Sequence, residues 1–211
     1  MMPRQPQPLI PEWVHQIPWP LVGTAAAGLA LIAALIALWI WYRRWRADAE
    51  KMAAITSGSY AYLRNVVVPD PQGLPLHFDF LLLTARGAVI VDLREVRGNV
   101  FGGDQMSEWT VMNRRGRGTF TNPQPGMLDR VAALRELVRE LPVDGQIVFG
   151  GKARFPKGLP SHTRLLESLV DEHRALAPGR AGPLPESWLD DWRAIEQASQ
   201  PSRLGQRGTP V

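Results

Sequence analysis

Cysteine is absent from the 211 residues, which excludes a disulfide scaffold and any thiolate metal site. Lysine is nearly absent too. Of 24 basic residues, only Lys51, Lys152 and Lys157 are lysine, and the other 21 are arginine. Histidine is equally sparse, at four residues; His162 and His173 stand eleven apart with no third ligand, so zinc spacing is missing. No internal repeat is visible. The longest absence is of charge: between Glu12 and Arg43 thirty consecutive positions carry no Asp, Glu, Lys or Arg.

What is present is the composition of a folding chain, with 45% hydrophobic residues and a net charge of +4. The pI of about 9.9 suggests an anionic partner until the charges are located. Residues 1–46 hold four basic side chains and one acidic one, while residues 47–211 hold twenty and nineteen. Most of the basic excess therefore lies beside the uncharged run. It reports topology before it reports nucleic acid.

Within that run, Leu21 to Ile40 is twenty residues without a strongly polar group. At ~1.5 Å per residue this crosses a ~30 Å hydrocarbon core as a helix, the backbone satisfying its own hydrogen bonds. Trp19 at one end and Trp39, Trp41, Tyr42 and Trp45 at the other suit interfacial belts. Arg43, Arg44, Arg46 and Lys51 follow the span and only Arg4 precedes it, the reverse of a cleaved signal peptide. The expected order is an extracytoplasmic stub over residues 1–18, a transmembrane helix over 19–42 and a juxtamembrane helix over 43–56. The basic flank puts the bulk of the chain in the cytoplasm and the N-terminus outside, single-pass in a cell membrane of bacterial type.

Residues 57–198 read as one layered α/β or α+β domain, followed by a disordered tail over 199–211. Strand character appears at Tyr60 to Val68, Leu76 to Thr84 and Ala88 to Val96, the last two joined by a link short enough for a hairpin. Gly98 and the Gly102-Gly103 pair are read as the end of that region. Short strands at Trp109 to Met112 and Thr119 to Phe120 flank a basic tip, Asn113-Arg114-Arg115-Gly116-Arg117-Gly118. The period then changes: Met127, Val131, Leu134, Val138 and Leu141 make the apolar stripe of a helix, with charged positions such as 129 and 130 on its polar side. Thr121 or Asn122 caps it, with Pro123 in the first turn. Gln146 to Phe149 reads as a buried strand, and two further helices carry Leu165, Leu166, Leu169, Val170 and Leu176, then Trp188, Trp192 and Ile195. The two tryptophans form a core-facing stripe.

Charge inside apolar strands marks the candidate site. Asp79 lies among Phe78, Phe80 and leucines; Asp92 and Arg94, two apart on the next strand, leave the same face of the sheet. Two carboxylates on neighbouring strands beside a cation suit Mg²⁺ and a phosphoryl group, and equally suit a structural ion pair. Arg114, Arg115 and Arg117, set between glycines, have the same two readings: a track for a phosphate backbone or a solvated turn.

The residues from Tyr62 (YLRNVVVPDPQG), His77-Phe78-Asp79, Gly87 to Arg94 (GAVIVDLR), Arg97 to Gly102 (RGNVFG), Trp109 and Thr121-Asn122-Pro123 together resemble the nuclease-related domain called NERD, a relative of the PD-(D/E)xK nucleases. The resemblance spans roughly residues 57–170. It implies a restriction-endonuclease-like mixed sheet flanked by helices, and metal-dependent hydrolysis of DNA or RNA. Carried over by position, it makes Asp79 and Asp92 ligands of Mg²⁺, with the Leu93 carbonyl as a third, and puts Arg94 where the family has its catalytic lysine. Arg97, Arg114, Arg115 and Arg117 become nucleic-acid contacts. An upstream glutamate is often part of such sites, and Glu50 is the nearest one. The sequence departs from the family in three places: His77 replaces an acidic residue, Arg94 replaces lysine, and Gly126 stands where a glutamine is expected. Guanidinium is broad, planar and always charged, so it keeps phosphate affinity and loses the lysine's approach to an attacking water. Weakened or lost hydrolysis follows, with a silent nucleic-acid- or protein-binding module as the alternative.

Overall fold

In the computed structural model, residues 19–175, 179 and 182–202 are described. The stub over 1–18, Leu176 and the residues beyond Ser202 lie outside them. The chain divides into two compact units between Lys51 and Met52.

The first unit is nearly all of one helix, α1 (Trp19–Thr56), whose final turn belongs to the second unit. At ~1.5 Å per residue its 38 residues extend about 57 Å, well beyond the hydrocarbon span. Leu29, Leu31, Ile32, Leu35, Ile36 and Leu38 are all more than half exposed, so this is not the core helix of a soluble domain. It is the one described helix long and apolar enough to cross a membrane. Residues 19–42 and 43–56, expected as a span and its helical continuation, form one unbroken helix.

The second unit contains two mixed sheets rather than the single sheet expected. The larger has the order β10-β1-β2-β3-β7-β9, from Gln200–Pro201, Ser59–Pro69, Pro75–Thr84, Gly87–Glu95, Val143–Gly150 and Thr163–Leu165. The smaller runs β6-β5-β4-β8, from Gly116–Thr121, Glu108–Asn113, Gly98–Phe101 and Ala153–Arg154. Strands β1, β2 and β3 are antiparallel, and β2 and β3 form the expected hairpin with Thr84 opposite Gly87. Gly87 is required there: its φ is +120°, and a Cβ would stand 2.3 Å from the Pro142 carbonyl oxygen. The parallel β7 then docks on β3 with Asp92 beside Ile147 and Arg94 beside Phe149.

Helices cover both faces of the larger sheet. On one, α2 (Gln124–Leu137) and α4 (Glu186–Ala198) place Met127, Val131, Leu134, Trp192 and Ile195 against Leu81, Leu83, Ile90 and Ile147. On the other, Ile55 from the last turn of α1 and Leu169 from α3 (Leu166–Ala175) meet Phe80, Leu82, Val91 and Val148. The fully buried Trp109 of β5 lies 6.0 Å from both the Phe120 and Phe149 rings, so one aromatic cluster ties the two sheets. Gly102 permits this, since a Cβ on it would sit 2.4 Å from the Trp109 indole.

Several boundaries differ from the sequence reading; β7 is longer than expected, Leu165 lies in β9 rather than a helix, and three further differences have clear causes or partners. Helix α2 stops at Leu137, not Leu141: Val138 is extended, and the carboxylate of Asp191 accepts the N–H groups of Arg139, Glu140 and Leu141 at 2.8–3.0 Å. Leu141 is buried from a loop instead. Gly98 begins strand β4 rather than ending the region. Gln200–Pro201, expected in the disordered tail, pairs with Val66 and Val67 of β1, and Asn65 exchanges hydrogen bonds with Ser202.

Candidate functional site

Asp79 and Asp92 face one another across the β2–β3 ladder, one position beyond the Phe80 and Val91 pair. At the same level of β1, Asn65 takes a φ of 52° between the Arg64–Phe80 and Val66–Phe78 pairs. Its Oδ1 meets His77 Nε2 at 2.8 Å, and His77 Nδ1 lies 3.6 Å from Asp79 Oδ1. Asp79 Oδ2 accepts the Leu93 N–H at 3.0 Å. Burial raises the Asp79 pKa, and the Asp92 charge raises it further, against the lowering effects of the Leu93 N–H, His77 and Arg94.

Asp92 is 4% exposed and is held by two guanidinium groups. Arg94 Nη2 donates to its Oδ2 at 3.0 Å, and Arg94 Nε stands 2.9 Å from Oδ1 in electrostatic contact without a well-directed hydrogen bond. Arg130, from α2, donates through Nη2 to Oδ2 at 2.7 Å and through Nη1 to the His77 carbonyl at 3.3 Å. The structure therefore brings together the three sequence candidates and adds a fourth residue, Arg130, which the sequence reading put on the polar side of its helix. Its spacing carried the signal. Position 130 is three after Met127 and four before Leu134, both fully buried, which puts it at the edge of the apolar stripe.

The family model for NERD, the nuclease-related domain, matches residues 44–150. The chain belongs to the nuclease-related domain family. No curated protein and no solved structure matches it. The match begins at Arg44, within α1, and ends with β7, earlier at both ends than the span expected from the motifs.

Nuclease-related domains are typically metal-dependent, and the donor set here can be tested against a divalent cation. Two carboxylates with waters would suffice for Mg²⁺ by oxygen count. Yet both oxygens of Asp92 are already engaged, and two fixed positive charges cancel the two negative ones. The Leu93 contact is its N–H, donated to Asp79. Among the described residues no cluster of three His, Asp or Glu side chains is placed to hold a metal, and Glu50 pairs with Arg46 on α1. As arranged, these residues do not fit a divalent ion: one must first give up an arginine.

Beside this centre lies a cavity of about 830 Å³ whose lining includes Arg94, Arg130, Asn122 and Gln124's neighbours Pro123 and Pro125. Its wall is pinned by a polar knot. Asn122 Oδ1 accepts the Gln124 N–H at 2.9 Å, and the buried Gln124 donates to Asp104 Oδ1 and to the Ser161 carbonyl, both at 2.7 Å. Hydrogen bonds from Gln124 and Ser161 lower the Asp104 pKa. A buried glutamine thus stands at 124, two residues before Gly126.

The arginines of the tip are arranged differently. Arg114 and Arg115 form the two-residue turn of the β5–β6 hairpin, where Asn113 pairs with Gly116 and accepts the Arg115 N–H at 2.8 Å. They share a second cavity, of about 660 Å³, with Arg97, Lys152 and Arg154; Arg117 is outside its lining.

Proposed function

We propose that this chain is a membrane-anchored, cytoplasmic nuclease-related domain that binds DNA or RNA and in which Mg²⁺-dependent phosphodiester hydrolysis is weakened or lost. The single observation supporting the loss is the double engagement of Asp92 by Arg94 and Arg130. A buried carboxylate between two guanidiniums is neutralised, so its attraction for a cation is small. Arginine also stays protonated, leaving no group at position 94 to take a proton from water. The family membership supports a phosphodiester as ligand. The exposed apolar helix followed by Arg43, Arg44, Arg46 and Lys51 supports the anchor and its orientation.

The test is nicking of supercoiled plasmid and cleavage of single-stranded RNA by the full chain in detergent, with and without Mg²⁺ or Mn²⁺. The expected result is little cleavage by the native chain and a gain in Arg94→Lys combined with Arg130→Gln, in which Asp92 is released. Brisk metal-dependent cleavage by the native chain, abolished in Asp79→Ala and Asp92→Ala, would overturn the proposed loss. Protease digestion of sealed membranes tests the orientation: the domain is expected to be cut from the cytoplasmic face only.

A further inference from the structure

The larger concentration of unengaged charge is not at the carboxylates. Arg97, Arg114, Arg115, Lys152 and Arg154 converge on the 660 Å³ cavity, against the single carboxylate of Glu95, which leans over the Gly150-Gly151 turn. Five cations and one anion leave +4. Among the described residues, none of the five side chains makes a hydrogen bond or ion pair. The contrast with Arg86, Arg94, Arg130 and Arg164, each paired with a carboxylate, is direct.

The backbone is built to gather them. Gly98 starts β4 with a φ of +128°, and a Cβ there would lie 2.4 Å from the Met112 carbonyl oxygen, so only glycine lets β4 run this close to β5. Lys152 holds a φ of 76°, a conformation uncommon for a residue with a side chain, which marks a constrained position. Across the small sheet the register aligns Arg154 with Asn99, Asn99 with Met112, and Met112 with Arg117. These four side chains share one face. Three strand spacings of about 4.8 Å put roughly 14 Å between the outer two, about the rise of four nucleotides. Arg117 thus lies on the same face as Asn99, Met112 and Arg154, outside the cavity's lining.

None of Asp79, Asp92 or Arg94 lines this cavity, and Arg94 lines the other one. We infer that the cleft of Arg97, Arg114, Arg115, Lys152 and Arg154 is a phosphate-backbone binding site separate from the carboxylate centre, holding several consecutive phosphates of a nucleic acid without contributing to hydrolysis. This rests on the nucleic-acid reading above and names the surface that serves it. Arginine and lysine on a face without aromatic side chains read phosphates and not bases, so binding is independent of sequence.

The experiment is fluorescence anisotropy of labelled single-stranded and duplex DNA with the full chain in detergent, from 50 to 200 mM salt. A parallel titration uses inorganic tripolyphosphate. Five phosphate contacts give a slope of about −4.5 in log K against log salt for duplex, roughly a 500-fold loss over that range. Lys152→Gln with Arg154→Gln lowers the slope to about −2.7 and the loss to roughly 40-fold. The control, Arg174→Gln with Arg193→Gln, removes the same charge from exposed helix pairs elsewhere and leaves the slope unchanged. Thermal melts of both double variants check that they fold.

DNA binding weakened in the cleft variant alone supports the inference. DNA binding equal in cleft and control variants overturns the cleft and leaves the nucleic-acid reading standing. Tripolyphosphate binding lost in the cleft variant, with no DNA bound by the native chain, overturns the nucleic-acid reading and makes the ligand a free polyphosphate. Binding of neither overturns both.

Discussion

If Asp92 is the anchor of two arginines, its removal must destabilise the domain, and if it is a strained functional carboxylate, its removal must do the opposite. The two cases differ in sign. In Asp92→Ala, Arg130, whose side chain is only 17% exposed, is left with one long bond to the His77 carbonyl. Removing one member of a buried pair costs about 3–5 kcal/mol. Arg94 adds little, being 42% exposed and free to rehydrate, which puts it in the range of about 0–1 kcal/mol for surface pairs. Asp79 loses a repulsive neighbour, which offsets part of the cost. The expected net loss is about 2–4 kcal/mol, or a fall of roughly 1–2 M in the urea midpoint at about 2 kcal/mol per M. Urea titration of the full chain in detergent, followed by near-UV circular dichroism, measures it. Arg130→Met should cost about as much, and the double variant less than the sum by about 2 kcal/mol. An Asp92→Ala midpoint equal to or above the native one would refute the reasoning.

Two carboxylates should respond to pH with opposite signs. Asp79 has a raised pKa in the fold, so its ionisation opposes folding at neutral pH and the penalty disappears as pH falls through the raised value; Asp79→Asn, which keeps an acceptor for the Leu93 N–H, should therefore raise the urea midpoint at pH 7 and lose that advantage in acid. Asp191 is buried, which raises its pKa, but three backbone N–H groups outweigh this and the net shift is downward, so its stabilisation is full above the unfolded pKa of about 3.9 and is lost as pH falls through the lower folded value. Asp191→Ala should cost about 3 kcal/mol at pH 7 by orphaning those N–H groups, and should flatten the acid limb of stability against pH. Gly98→Ala, strained by its φ of +128° and by the Met112 carbonyl, should cost about 1–3 kcal/mol in the same urea assay and weaken DNA binding by displacing β4.

The long strands and helices were legible because they repeat their period several times over. β1, β2 and β3 carry runs of nine to eleven residues, β7 showed only its apolar centre from Gln146 to Phe149, and α2 and α4 show their stripes through Met127, Val131 and Leu134, or Trp188, Trp192 and Ile195. Strands β4, β8, β9 and β10 have two to four residues each and no period to display; their partners, not their own side chains, define them. The second sheet was missed for that reason, since β4 and β8 are half of it. The end of α2 was misplaced because Leu141 fits the stripe equally well from a loop, and the side chain that holds this loop, Asp191, is fifty residues away. Within the site, the shared face of Asp92 and Arg94 followed from alternation, and the neighbouring strand of Asp79 from the short hairpin link. That Arg130 reaches in from α2, and that Lys152 and Arg154 join Arg97 beside the hairpin tip, depends on how distant segments dock.

The pairing of Gln200–Pro201 with β1 has a consequence for handling the protein. β1 is eleven residues long and would otherwise be the open rim of the larger sheet, a row of backbone donors and acceptors ready to recruit another chain. Two residues, a proline among them, and the Asn65–Ser202 hydrogen bonds close part of that rim. A truncation after Ala198, tempting because the remaining residues have the composition of a dispensable tail, would uncover a sticky edge. The shortened domain is then expected to self-associate.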